Sequence, residues 1–177
     1  MGEKPLTGPY TRLRDEIVEF VNNELEWMPD DAEGDSPIEK VFFTALWSLC
    51  RFGIGPLYHM VVPKYARLPL DRLLAREDPS AIIVEPQAQL EGWRVDFLIH
   101  AWEFGRLSGK AQWRRLIVEC DGHNFHERTK EQAAKDRGRD REFQLRGYTI
   151  LRFTGSELYA NPLACARQVG EWIEMGW

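Results

Sequence analysis

Arg114-Arg115-Leu116-Ile117-Val118-Glu119-Cys120-Asp121-Gly122 is the stretch on which the reading of this chain turns. Its apolar run is nearly continuous, the pattern of a central strand covered on both faces. Two acids then flank a cysteine, and Gly122 ends the strand. Alternation puts Ile117, Glu119 and Asp121 on one face and turns Cys120 to the other. Carboxylates at such a place repel one another and lose hydration unless positive charge neutralises them. A hard divalent cation that takes oxygen ligands, Mg²⁺ or Mn²⁺, does this at least cost.

Upstream, residues 93–101 form a second strand, with Val95, Phe97 and Ile99 on one face and Asp96 on the other. If the two strands are neighbours, Asp96, Glu119 and Asp121 converge. Residues 81–90 form the strand before it, interrupted or placed at a sheet edge by Pro86. Glu91-Gly92 makes a tight turn between these two strands. Residues 102–113 read as a polar excursion.

Downstream, His123 and His126 sit in a loop directly after the acids, where an imidazole can exchange a proton near neutral pH. Thr129 to Arg146 reads as a highly charged helix closed by Gly147 as its C′ residue. Residues 148–153 give a fourth strand, and residues 155–175 a last helix with a break near Pro162. A strand–helix–strand connection makes the third and fourth strands parallel.

At the other end, Tyr10, Leu13, Ile17, Val21 and Leu25 recur at near-helical spacing over residues 10–28. Ser36-Pro37-Ile38-Glu39 opens the next helix, with Ser36 as N-cap and Glu39 completing a capping box. That helix runs toward Gly53 or Gly55. Pro56, Pro63, Pro69 and Pro79 punctuate an irregular connection over 56–80, in which only 70–76 looks helical. The order α-β-β-β-α-β-α predicts an α/β fold with a four-stranded mixed sheet flanked by helices.

The ordered motifs resemble the PD-(D/E)XK nuclease superfamily, and more closely the small bacterial domains related to very-short-patch-repair endonucleases. The matching pieces begin with Ser36-Pro37-Ile38-Glu39, then Pro86-Gln87 with Gln89, and Trp93-Arg94-Val95-Asp96-Phe97. Val118-Glu119-Cys120-Asp121-Gly122 with His126 follows, then Lys135-Asp136-Arg137-Gly138-Arg139-Asp140 and Gly147-Tyr148-Thr149-Ile150-Leu151-Arg152-Phe153. They span roughly residues 36–160. The resemblance implies a restriction-endonuclease-like core and metal-dependent hydrolysis of DNA, with RNA as the other substrate it admits. Asp96 and Glu119 match the acidic metal ligands, and the Cys120 carbonyl is a third. Glu39 matches a helix glutamate that supports the metal through water, and Gln87 accompanies it.

The superfamily lysine, two residues after the second acid, is here Asp121. Enzymes of the very-short-patch type also lack that lysine and use histidine chemistry nearby. His126, then His123, is therefore the candidate general base or acid, while Lys135 can supply the missing ammonium from the next helix. Lys130, Arg137, Arg139, Arg141 and Arg152 are the candidate phosphate contacts.

Composition sets the remaining bounds. The 177 residues are 44% hydrophobic and 29% charged, an ordinary globular balance for one domain plus an extension. Residues 1–35 form an acidic helical extension, and 36–177 the endonuclease-like domain with an insertion at 56–80. The net charge of −5 argues against a generic polyanion binder. It conceals an asymmetry: residues 1–39 carry 3 basic and 11 acidic side chains, residues 128–152 carry 8 basic and 4 acidic. The acidic arm and the seven tryptophans admit a protein partner or a homodimer. No apolar run approaches the roughly 20 residues of a membrane helix, and Met1 to Pro9 lacks a signal-peptide stretch. Cys50, Cys120 and Cys165 are unpaired in spacing, which points to buried thiols in the reducing cytoplasm. Two other readings stand beside the endonuclease: an inactive nucleic-acid-binding module, favoured by Asp121 at the lysine position, and an assembly subunit on the same fold.

Overall fold

The computed structural model describes residues 9–52, 59–104, 111–122 and 130–174. The chain divides into two compact units, Met1–Ala32 and Glu33–Trp177. The first carries helix α1 (Pro9–Asp31). The second holds α2 (Pro37–Phe52), β1 (His59–Val61), a 3₁₀ turn (Pro63–Tyr65), α3 (Leu70–Leu74), β2 (Ala81–Leu90) and β3 (Trp93–Phe104). β4 (Ala111–Asp121), α4 (Lys130–Leu145), β5 (Tyr148–Thr154), α5 (Gly155–Ala160) and α6 (Pro162–Glu174) complete it.

The sheet has five strands in the order β1-β2-β3-β4-β5, not the four expected. The extra strand comes from the stretch 56–80, where His59–Val61 pairs parallel with Ala81–Ile83. Three residues between prolines carry too little periodicity to announce a strand; pairing to β2 makes it one. β2, β3 and β4 form an antiparallel meander, and β4 and β5 are parallel across α4, as their connection requires. β3 and β4 are longer than expected. Trp102 pairs with Trp113 and Phe104 with Ala111, so much of the expected polar excursion is strand.

Pro86 lies in a continuous β2 but beyond the three residues that β1 covers, so its missing N–H leaves no ladder bond unmade on that side. The β2–β3 turn has Glu91 at φ 53° and Gly92 at φ 83°, the two positive values of a type I′ hairpin. Gly147 follows α4 at φ 80°, as a C′ residue should.

Helices cover both faces of the sheet. On one, Phe42 of α2 lies 5.3 Å from Phe97 and 5.7 Å from Phe153, ring centre to ring centre. α5 and α6 adjoin α2. On the other, Phe143 of α4 packs with Val95, Leu98, Ile117 and Tyr148. Strict alternation thus fails in β3: Val95 shares a cluster with Leu98, whereas Phe97 faces α2 and not the side of Val95. The cause sits at Asp96 and Gln87, the one position missing from the β2–β3 ladder, where Gln87 adopts φ 53°. Cys120 and Cys165 are buried free thiols, while Cys50 is only half-buried. Among the described residues no helix is long and apolar enough to cross a membrane.

Phe42 is fully buried and joins α2 to two strands. Phe42→Ala is expected to lower unfolding stability by about 3–5 kcal/mol, read from urea denaturation. A loss below about 1 kcal/mol would show that this layer is not the core described.

Candidate functional site

β4 delivers Glu119 and Asp121 to its carboxyl end on the α4 face, and the break in β3 delivers Asp96 beside them. Asp96 Oδ2 accepts a hydrogen bond from the Cys120 amide at 2.7 Å, which fixes its carboxylate against β4. Burial raises the Asp96 pKa above its ordinary value; the Cys120 amide opposes this, and the Glu39 and Asp121 charges add to it. Glu119 is buried, and that burial pushes its carboxyl up to about 7 against the pull of Arg139. The Asp96 charge pushes it the same way.

Positive charge comes from α4 and β5. Arg139 Nη2 stands 3.1 Å from Glu119 Oε1, both side chains largely enclosed. The contact lacks hydrogen-bond geometry, so Glu119 Oε1 is buried without a hydrogen bond, and so is Arg139 Nε. Arg152 donates to Asp140 Oδ1 at 2.6 Å and reaches Asp121 Oδ2 only at 3.6 Å. Trp93 forms a shelf beneath two cations, Lys135 Nζ at 5.0 Å and the Arg139 guanidinium at 5.9 Å from the ring centre.

Glu39 approaches from the first turn of α2 and is buried. Its Oε2 accepts from the Asp35 amide at 2.8 Å and from Gln87 Nε2 at 2.6 Å, and its Oε1 from Ser36 Oγ at 2.6 Å. The cap and the link to β2 are therefore made by the same carboxylate. Gly34, at φ 139°, leaves room for it: a Cβ there would fall 2.6 Å from Glu39 Cβ. Gln87 Oε1 is buried and unpaired.

The structure thus brings together Asp96, Glu119, Asp121, Glu39, Gln87, Arg139 and Arg152. Lys135 is exposed and lies over Trp93. Arg137 and Arg141 are exposed on α4. His123 and His126 lie outside the described residues, as does the Lys130 side chain. Two participants were not singled out in the sequence. Trp93 shelves the cations, and Asp140 anchors Arg152. Both stand inside the quoted motifs, but nothing in their spacing distinguishes them from core and surface residues.

A metal fits this site in part. Among the described residues, no three His, Cys, Asp or Glu side chains stand close enough to hold an ion together. The expected three-carboxylate cluster therefore does not close into a cage. Yet the groups present are oxygen donors suited to a hard cation, and the orphaned Glu119 Oε1 has no hydrogen bond to lose. Asp96 and Glu119, with the Cys120 carbonyl, are the groups that would take it.

A family model described as REase_MTES_1575 matches residues 74–173, from the end of α3 to the last turn of α6. The chain belongs to this restriction-endonuclease-like family. Neither a curated protein nor a solved structure matches it significantly. The family match takes in Asp96, Glu119, Asp121 and Arg139, and leaves Glu39 outside.

Glu119 holds its proton more tightly in the folded chain than in the unfolded one, so the folded state binds more protons between about pH 4.5 and about pH 7. Stability contributed here is present below that window and lost as pH rises through it, by an amount of the order of 3 kcal/mol. Urea denaturation in EDTA from pH 4.5 to pH 8 should show the wild type losing stability relative to Glu119→Gln. Parallel curves would refute the raised pKa.

Proposed function

We propose that the chain is a metal-dependent endonuclease of the very-short-patch-repair-like type, hydrolysing DNA phosphodiester bonds in repair or in restriction and defence. The observation that carries this reading is the buried Glu119 carboxylate beside Asp96, its Oε1 without a hydrogen bond, set against a cationic helix in a restriction-endonuclease-like chain. Asp96 and Glu119, with the Cys120 carbonyl, would hold Mg²⁺ or Mn²⁺. When bound, such a cation supplies Lewis acidity toward a phosphoryl oxygen and acidifies water.

The chain's own residues do the rest. The Cys120 amide keeps the Asp96 carboxylate in one orientation. Glu39 and Gln87 tie α2 to the break in β2 and hold the two elements in register at the site. Arg137 and Arg141, with Lys130, offer charge to the DNA backbone, whose phosphates dominate affinity. Arg152 remains tethered to Asp140 and screens Asp121. His126, with His123 as second choice, is proposed to move the proton, and Lys135 is proposed to swing from Trp93 toward the phosphate. A second copy, or a partner engaging the acidic segment 1–35, fits the need to cut both strands of a duplex.

Asp121 at the lysine position and the Arg139 contact to Glu119 favour one rival, an inactive nucleic-acid-binding module on the same fold. One assay separates the two. Supercoiled plasmid, a mismatched duplex and single-stranded DNA are incubated with Mg²⁺, with Mn²⁺ or with EDTA. Cutting is expected with metal only, and to fall at least about a hundredfold in Asp96→Asn and Glu119→Gln. Unchanged cutting by Asp96→Asn overturns the ligand assignment. DNA binding without cutting, insensitive to EDTA, establishes the rival.

A further inference from the structure

The Glu119–Arg139 pair is poorly made for a permanent one. A buried ion pair holds when its remaining donors and acceptors are satisfied, and arginine ordinarily achieves this with a two-pronged grip on the carboxylate. Here Arg139 Nη2 stands 3.1 Å from Glu119 Oε1 without hydrogen-bond geometry. Both Glu119 Oε1 and Arg139 Nε are left buried without a hydrogen bond. Each atom can therefore still take a better partner: Glu119 Oε1 a cation seated on it, Arg139 Nε an oxyanion that accepts from it.

The neighbouring arginine is built differently. Arg152 has a 2.6 Å bond to Asp140 and stands 3.6 Å from Asp121, so its anchor lies outside the acidic pair. Arg139 approaches Asp140 only to 3.8 Å, and what steadies it is the Trp93 face. An aromatic face attracts a guanidinium without fixing its donors, so the side chain can turn on that shelf.

We infer that Arg139 is the resident counter-cation of Glu119, exchanged for the divalent cation on loading and then taken up by a phosphate of the bound DNA. The inference rests on the endonuclease reading above and adds a regulation of the same site. Without DNA, the chain neutralises its own carboxylate and takes up metal weakly. With DNA, the phosphate gives Arg139 an acceptor, Glu119 is released to the ion, and each ligand tightens the other by the same factor.

The test measures Mn²⁺ binding to the full chain without DNA, by calorimetry and by the electron paramagnetic resonance signal of free Mn²⁺. Arg139→Gln is expected to bind Mn²⁺ about tenfold more tightly than wild type. Arg152→Gln removes the same charge from the same cluster and is expected to gain less than about threefold. Arg139→Lys keeps the charge and should stay within about threefold of wild type, which preserves the comparison if Arg139→Gln folds poorly. A second readout is the Trp93 emission, isolated by subtracting Trp93→Phe spectra. It should change on adding Mg²⁺ to wild type and stay constant in Arg139→Gln.

Equal gains in Arg139→Gln and Arg152→Gln would overturn the exchange, because general electrostatics would then suffice. Tighter binding by Arg139→Lys would overturn it too. Mn²⁺ binding that is absent from wild type and every variant alike, or that is as tight in Glu119→Gln as in wild type, would overturn the metal-dependent reading itself. That pattern is distinct from failure of the exchange alone.

Discussion

A carboxylate buried at the end of an apolar strand obliges its neighbours to supply positive charge, and Glu119 imposes that constraint here. Its position follows from β4, which is apolar through Val118 and cannot turn the acid away without exposing Ile117. The crossover from β4 through α4 to β5 answers the constraint. It lays a charged helix over the sheet between two parallel strands, with Arg139 over one acid and Arg152 of β5 beside the other. The same helix buries Phe143 against Val95, Leu98, Ile117 and Tyr148, so its height above the sheet is set by apolar packing. Charge neutralisation and core packing therefore share one element.

The break at Gln87 and Asp96 joins the two faces of the sheet. Gln87 in the left-handed region interrupts the ladder at a cost, and its side chain recovers part of that by bonding Glu39. Glu39 in turn satisfies the first turn of α2, with Gly34 leaving the space it needs. A strained strand position, a helix cap and a close glycine contact are thus one connected assembly. Loosening any of them moves Asp96, whose orientation depends on the strand geometry at the same break.

Much of this was readable in the residues because local chemistry announced it. Gly92 and Gly147 marked a hairpin turn and a helix end by their position after polar residues, and Ser36 with Glu39 marked a cap. The alternation in β4 separated Glu119 from Cys120. What the residues hid was of two kinds. β1 exists only by pairing with β2, and three residues between prolines give no signal of it. The reversal between Val95 and Phe97 arises from a backbone conformation at Gln87, which a period-two reading assumes away. The shelf at Trp93 and the anchor at Asp140 depend on how α4 lies over the sheet, which is a tertiary fact.

The sequence separations within the site order its assembly. Asp96 and Cys120 are 24 residues apart, in adjacent strands of a simple meander, whereas Glu39 and Gln87 are 48 apart and must close a longer loop. Short loops close first because they give up less chain entropy. The acidic pair can therefore form on a nascent β3–β4 hairpin before α2 docks. The Glu39–Gln87 bond then acts as a late lock, and a chain trapped before it forms carries its carboxylates on a sheet still bare of α2.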